Sequence, residues 1–293
     1  MTAPREQIHP GSELRALMRQ KTVVVPGAFN ALVARAVARA GFSACYISGG
    51  ATANVSGYPD IGLITLTEMV RTIREIVDAS GLPVIADADT GFGEVECAMR
   101  TVVAYERAGA AALHVEDQVF PKRCGHLDGK ELVSPRAMAD KVSAMANARL
   151  CRDFVLIART DAMAIEGMDG TIRRANLYRE AGADVIFPEG LANASEFSAF
   201  LKGSPGFALA NMTEFGKTQH LTADDFSSLG YSLVIYPLSM MRLAMRAVED
   251  GLAVLKAHGS VESILPKMQS RGDLYSLLDY KPGAQWKYPR GGS

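Results

Sequence analysis

No stretch of this sequence approaches the roughly 18 consecutive apolar residues of a membrane-spanning helix. Charge of one sign does not accumulate either. Its 31 lysines and arginines face 32 aspartates and glutamates, which leaves no basic footprint for nucleic acid. Cysteine is scarce: Cys45, Cys97, Cys124 and Cys151 show no C-x-x-C spacing. That excludes a zinc ribbon and a disulfide scaffold, and it points to free thiols in a reducing, cytoplasmic compartment. The opening MTAPREQIHPGSELRALMRQ has no apolar signal core, and its two glutamates argue against a transit peptide.

What is present is a long, apolar, evenly punctuated chain. With 293 residues, 48% of them hydrophobic, it suffices for a large core, and no domain boundary is visible. Short β-branched runs recur eight times: Thr22–Gly27, Ala44–Gly49, Pro83–Asp89, Ala112–Asp117, Phe154–Asp161, Val185–Glu189, Phe207–Thr213 and Leu233–Ser239. Segments of helical periodicity, such as Thr67–Ala79 and Val95–Ala108, lie between them. Continuous apolar strands alternating with amphipathic helices predict a parallel sheet covered by helices. Gly41, Gly109, Gly182 and Gly230 stand before four of the strands, where glycine in the left-handed conformation ends a helix.

One repeated unit favours closure into an eight-stranded α/β barrel of the TIM type. The competitor is an open doubly wound sheet, and it lacks a G-x-G-x-x-G after the first strand. The expected layout is an N-terminal segment over 1–21 with a helix at Glu13–Gln20, then the barrel over 22–258. A helical region over 259–279 and a flexible tail over 280–293 complete it.

In such a barrel the carboxyl ends of the strands form the catalytic mouth. The polar residues expected there are Ser48, Asp87, Asp89, His114, Glu116, Asp117, Arg159, Asp161, Glu189, Asn211, Thr213 and Arg242. Six carboxylates together require cations. Asp87 and Asp89, spaced i, i+2, point the same way if both lie on a strand. Hard oxygen ligands of this kind suit Mg²⁺ or Mn²⁺, with Glu116 on the next strand acting through water. Cys45 and Cys97 read as small buried hydrophobes. Cys124 differs, because Lys122, Arg123 and His126 surround it in a polar loop that favours the thiolate. The stretch from Val119 to Pro135 exceeds the usual loop length, as a closing lid would.

The ordered motifs carry a resemblance. YISGG at Tyr46–Gly50, DAD at Asp87–Asp89, HVEDQ at His114–Gln118 and KRCGH at Lys122–His126 are followed by ARTDA at Ala158–Ala162. FPEG at Phe187–Gly190, NMTEFGKT at Asn211–Thr218 and YPLSMMR at Tyr236–Arg242 complete the set. Together, in register over residues 12–280, they resemble the isocitrate lyase / phosphoenolpyruvate mutase superfamily. Within it the likeness is to the methylisocitrate lyases, since mutases and oxaloacetate decarboxylases lack the cysteine loop and isocitrate lyases proper are much longer.

The resemblance implies cleavage of 2-methylisocitrate, a tricarboxylate, to succinate and pyruvate in the methylcitrate cycle of propionate catabolism. It implies Mg²⁺, no organic cofactor, and a homotetramer whose C-terminal helical region swaps between subunits. Asp87 and Asp89 would hold the ion, Glu116 would act through water, and Asp60 would belong to the outer shell. Tyr46 would stand beside the substrate hydroxyl, and Ser48, Gly49 and Gly50 would take the pyruvate-forming carboxylate. Arg159 would stabilise developing charge, and Cys124, with Gly125 beside it, would deliver a proton tuned by His126 and Lys122. Glu189, Asn211, Thr213, Arg242 and Arg271 would grip the succinyl carboxylates, with Phe187 and Ile235 as walls for the methyl group. His114 and Asp117 are read as structural. The rival substrates are isocitrate and a 2-alkylmalate such as 2,3-dimethylmalate. Two further rivals are a phosphonate mutase and a non-catalytic metabolite-binding barrel.

Overall fold

The structure is a computed structural model, and it describes residues 9–123, 125 and 129–286. Each apolar run becomes a short buried strand: β1 Val23–Pro26, β2 Cys45–Ile47, β3 Val84–Asp87, β4 Ala112–Glu116, β5 Val155–Thr160, β6 Val185–Pro188, β7 Leu209–Asn211 and β8 Leu233–Tyr236. All pair in parallel. One run of the sheet is ordered β2-β3-β4-β5-β6 and the other β1-β8-β7. Single parallel bridges, Gly27 to Tyr46 and Ile186 to Ala208, join the two runs at both seams. The sheet is therefore closed, as the repeated unit predicts.

The helices are α1 Pro10–Gln20, α2 Ala31–Arg39, α3 Gly49–Val55, α4 Leu66–Ser80, α5 Val95–Arg107, α6 Pro135–Ala148, α7 Met163–Glu180, α8 Ala194–Gly203, α9 Ala223–Leu229, α10 Ser239–His258 and α11 Arg271–Leu277. In α4 the local causes are explicit. Thr65 and Glu68 form a reciprocal capping box, Met69, Ile73 and Ile76 make the buried stripe, and Gly81 ends the helix at φ 65°. The four joint glycines adopt φ of 85°, 93°, 111° and 91°, as expected of residues that turn a helix back into a strand.

Two apolar layers follow from strand alternation. Outward-facing Ile47, Ala86, Leu113, Leu156 and Ile186 pack against helical residues such as Ile73, Val102 and Tyr178. Inward-facing Val25, Ile85, Ala112, Ile157, Leu209 and Ile235 fill the barrel, and Leu14 and Met18 of α1 plug its amino end. Truncating Leu14, which is fully buried, would cost about 2–5 kcal/mol.

Of the two cysteines expected inside, Cys45 is buried on β2, and its thiol pKa is pushed up to about 12 by desolvation. Cys97 is exposed, because it lies in the first turn of α5 at the edge of the buried stripe of Ala98, Thr101, Val102 and Tyr105. The end of the chain also departs from simple helix-on-barrel packing. None of the residues of α10 is buried, and Leu243, Met245, Val248, Leu252 and Leu255 stand open. Near the last described residue, the Trp286 indole Nε1 donates to the Leu278 carbonyl at 3.1 Å.

Candidate active site

The carboxyl ends of the strands enclose a cavity of about 230 Å³. Tyr46, Ser48, Gly50, Asp60, Asp87, Lys122, Gly125, Arg159, Phe187, Glu189, Asn211, Thr213, Ile235 and Arg242 all line it. Ser48 caps α3 by accepting Ala51 N–H at 3.2 Å, which sets Gly49 and Gly50 as the first residues of that helix. Gly49 N–H is already donated to Asp87 Oδ2 at 2.9 Å. A Cβ at Gly49 would come within 2.9 Å of the same oxygen and 3.1 Å of Asp89 Oδ1. Glycine here lets helix and carboxylates meet.

The Asp pair faces one way for a different reason than strand alternation. β3 ends at Asp87, and Asp89 is turned back by a left-handed φ of 44°, with its own N–H donating to Asp87 Oδ1 at 2.9 Å. Such a φ is costly for a non-glycine residue. Burial and the charge of Asp87 push the Asp89 carboxyl pKa up to about 6. Glu116, at the end of β4, is 1% exposed, and burial raises its pKa well above the usual range. Neither Glu116 oxygen has a hydrogen-bond partner among the described residues, nor does Asp89 Oδ1.

Buried, under-satisfied carboxylate oxygens are a poor end state without a cation. Donors that are all oxygen fit Mg²⁺. Among the described residues the trio His9, Glu106 and Cys151, at the far end of the barrel, is the one set of His, Cys, Asp or Glu whose ligand atoms lie within 4.8 Å of each other. There His9 Nδ1 accepts Gly11 N–H, so Nε2 carries the proton facing Glu106 and offers no lone pair. Asp87, Asp89 and Glu116 are more widely set, which leaves room for water between Glu116 and an ion held by the aspartates.

The ammonium of Lys122, the expected partner of Cys124, stands among carboxylates. It stands 2.5 Å from Asp60 Oδ1 and 2.8 Å from Asp89 Oδ1, the latter as an ion pair out of line for a hydrogen bond. The reason is charge: a nearly buried cation settles where carboxylates converge. Cys124 and His126 lie outside the described residues. The loop that carries them is anchored at its base, where Gln118 pairs with Leu132, and the Gln118 side chain holds both the N–H and the carbonyl of Arg123. Gly125 comes down onto the mouth so closely that a Cβ would meet Arg159 Nη2 at 2.4 Å and Glu189 Cγ at 2.7 Å.

Arg159, at the end of β5, is the hub of the site. Its guanidinium forks onto Asp161 at 2.9 and 3.1 Å, reaches Glu116 at 3.4 Å and Glu189 at 3.6 Å, and lies 5.2 Å from the centre of the Phe187 ring. Asp161 is itself held by Lys130 at 2.8 Å, and Lys130 also donates to the Gly125 carbonyl. Asn211 Nδ2 donates to Glu189 Oε2 at 3.2 Å. Arg242, in the first turn of α10, lies 3.7 Å from Glu214 and 5.2 Å from the Phe215 ring. It is 38% exposed and is the cation at the cavity's outer end.

One expected residue lies away from the mouth of its own chain. Arg271 is exposed at the start of α11, which packs on α2 outside the barrel, and it forms no part of the mouth of this chain. The α11 capping box of Ser270 and Asp273 fixes it there. His114, expected as a structural residue of the mouth, has its Nε2 hydrogen-bonded to the Tyr46 hydroxyl at 2.7 Å and 3.6 Å from Asp87. Burial lowers the His114 pKa and keeps the imidazole neutral, while burial and Asp87 keep the phenol protonated. The sequence signal for His114 was its alternation with Glu116 on β4, which sends both side chains into the barrel.

This geometry meets its counterpart among known proteins. Residues 14–256 match the family model described as phosphoenolpyruvate phosphomutase. The chain belongs to that family. A 2-methylisocitrate lyase of Aeropyrum pernix is 46% identical over 272 residues, covering 92% of this chain and 88% of the relative. A crystal structure of 2,3-dimethylmalate lyase superposes with a TM-score of 0.86 at 35% identity, covering 92% of each chain. A phosphonopyruvate hydrolase solved with oxalate and Mg²⁺ gives a TM-score of 0.83 at 31% identity, over 92% of this chain and 95% of the other. Family membership and strand topology agree on the barrel.

Proposed function

We propose that this chain is a Mg²⁺-dependent carbon–carbon lyase that cleaves 2-methylisocitrate to succinate and pyruvate. One observation carries the reading. A single cavity is lined by Asp60 and Asp87, by the hub arginine Arg159 and by Arg242, and the under-satisfied Asp89 and Glu116 lie directly behind Asp87 and Arg159. Those features complement a 2-hydroxy acid bearing carboxylates at both extremes. The 46% identical relative named for this substrate supports the choice.

Asp87 and Asp89 would hold Mg²⁺, with Glu116 through water and Asp60 outside them; Mn²⁺ satisfies the same donors. The ion would supply Lewis-acid polarisation of the substrate hydroxyl. Tyr46, positioned by neutral His114, hydrogen-bonds beside that hydroxyl, and Ser48 and Gly50 receive the adjacent carboxylate. With the hydroxyl proton passed to water, the hydroxyl carbon becomes the ketone carbon of pyruvate as the carbon–carbon bond breaks, its electron pair remaining on the succinyl carbon, where Arg159 stabilises the charge. Cys124 then gives its thiol proton to that carbon. Glu189, Asn211, Thr213 and Arg242 hold the distal carboxylates, and no organic cofactor enters.

A second reading, a dimethylmalate-type lyase, is favoured by the likeness to the solved 2,3-dimethylmalate lyase. Turnover of 2-methylisocitrate, isocitrate, 2,3-dimethylmalate and oxaloacetate by the purified protein decides between them. The first is expected to give the highest kcat/KM, and a preference for dimethylmalate would replace the proposal. In the same assay Cys124→Ser is expected to lose nearly all turnover while keeping its fold; near-normal rates would remove the thiol from the mechanism.

A second copy of the chain belongs to this reading, as a homotetramer joined through α10 and the segment after it. The open apolar row from Leu243 to Leu255 on α10, with Leu265 and Met268 beyond it, supports that assembly. So does the position of Arg271, which would have to come from a partner to reach a mouth. Free Cys45, Cys97 and Cys151 support a cytoplasmic location. No helix of the described residues is long and apolar enough to cross a membrane.

A further inference from the structure

At the opposite end of the barrel a second cavity, of about 480 Å³, opens between α1, α6 and the turns that lead into β5 and β6. This volume lies within the roughly 300–1,000 Å³ of small-molecule sites. Four arginines line it, Arg15, Arg19, Arg149 and Arg152, against two carboxylates, Asp153 and Asp184. The excess of cations is not uniform. Arg15 lies 2.8 Å from Asp184 and donates from Nε to the Asp153 carbonyl at 2.9 Å. Arg149 pairs with the other Asp184 oxygen at 2.7 Å and donates to the Phe154 carbonyl at 3.1 Å. Asp153 accepts from the Ser12 hydroxyl at 2.5 Å. The two aspartates are thereby engaged, and Arg15 and Arg149 form a fixed positive floor.

Arg19 and Arg152 are left over. Both are exposed, and among the described residues neither guanidinium has a hydrogen bond or an ion pair. Guanidinium forks match phosphate and carboxylate oxygens two at a time. The remaining lining, Ser143, Ala146, Asn147, Ala181 and Gly182, holds no aromatic ring on which a nucleobase could stack. We propose that this cavity is a binding site for a compact polyanion, a small metabolite with two or more phosphate or carboxylate groups, gripped by Arg19 and Arg152.

Isothermal titration of the full chain with Mg²⁺ present tests this, using 2,3-bisphosphoglycerate as the phosphate probe and tricarballylate as the carboxylate probe. The same titrations are run on the double variant Arg19→Ala/Arg152→Ala, whose exposed positions leave the core untouched. At least one probe is expected to bind the wild type more tightly than about 1 mM, and about tenfold or more weakly in the variant. Tricarballylate also fits the catalytic mouth, so in its arm the expected change is loss of about one equivalent per chain. Lyase turnover in the variant is expected to stay at the wild-type rate. Binding of both probes unchanged by the double substitution would overturn the proposal, as would no binding at millimolar concentration.

Discussion

Glu116 and Asp117 are consecutive residues where β4 meets its following loop, both essentially without solvent exposure, yet the protein treats them oppositely. Asp117 points outward from the barrel and is saturated. It accepts from Thr160 Oγ1 at 2.7 Å, Asp161 N–H at 3.0 Å, Tyr178 OH at 2.8 Å and Arg174 Nη1 at 3.3 Å. Glu116 points inward, toward the mouth, and accepts no hydrogen bond from any described residue. The fold can evidently satisfy a buried carboxylate at this position. Leaving the inner one unsatisfied marks the place where a cation and its waters belong, whereas the outer one ties β4 to β5 and α7.

The largest effect should come from removing divalent cation, which acts on the inner side alone. Chelation with EDTA is expected to abolish turnover, restored by added Mg²⁺, with the circular dichroism spectrum unchanged; persistent activity would mean that Glu116 and Asp89 serve only as partners of Arg159 and Lys122. Next comes Asp117→Asn, which weakens the hydrogen bonds from Thr160, Asp161 and Tyr178 while Arg174 keeps Glu166 at 2.6 Å, and should cost about 3 kcal/mol of stability. Thermal unfolding should record a fall on the order of 10 °C, while turnover per folded molecule holds. Glu116→Gln should do the reverse, lowering kcat about 100-fold, or about 2.7 kcal/mol, with an unfolding temperature equal to or above wild type. If it destabilised the protein as Asp117→Asn does, the contrast between the two carboxylates would collapse. The smallest effect is expected for Arg242→Lys at the cavity rim, a rise in KM of about tenfold with kcat little changed; steady-state kinetics with 2-methylisocitrate would reveal it.

How far these roles could be read from the chain varies by residue. The eight strands were legible because a parallel strand buried on both faces must be apolar throughout, and the polar residues that end each run must fall at one mouth. Arg159, Glu189, Asn211 and Thr213 converge there as expected. Lys122 was legible as a cation near a cysteine, but its reach to Asp60 and Asp89 depends on where a long loop lies against β2 and β3. His114 was visible as an inward residue, while its bond to Tyr46 joins positions 68 residues apart. Arg271 lies away from the mouth of its own chain, and a motif match carries no information about which subunit's mouth a terminal helix serves.

The sequence by itself therefore determined the barrel, the residue types at its mouth and the presence of an unusual cysteine loop, since all three follow from local periodicity and ordered motifs. Tertiary structure alone decided which carboxylates are satisfied. Donors to Asp117 come from β5 and α7, those to Asp161 from β5 and the loop after β4, and Glu116 receives none from the described residues. Hydrogen-bond satisfaction is a property of groups brought together across the chain, and no stretch of sequence carries it alone.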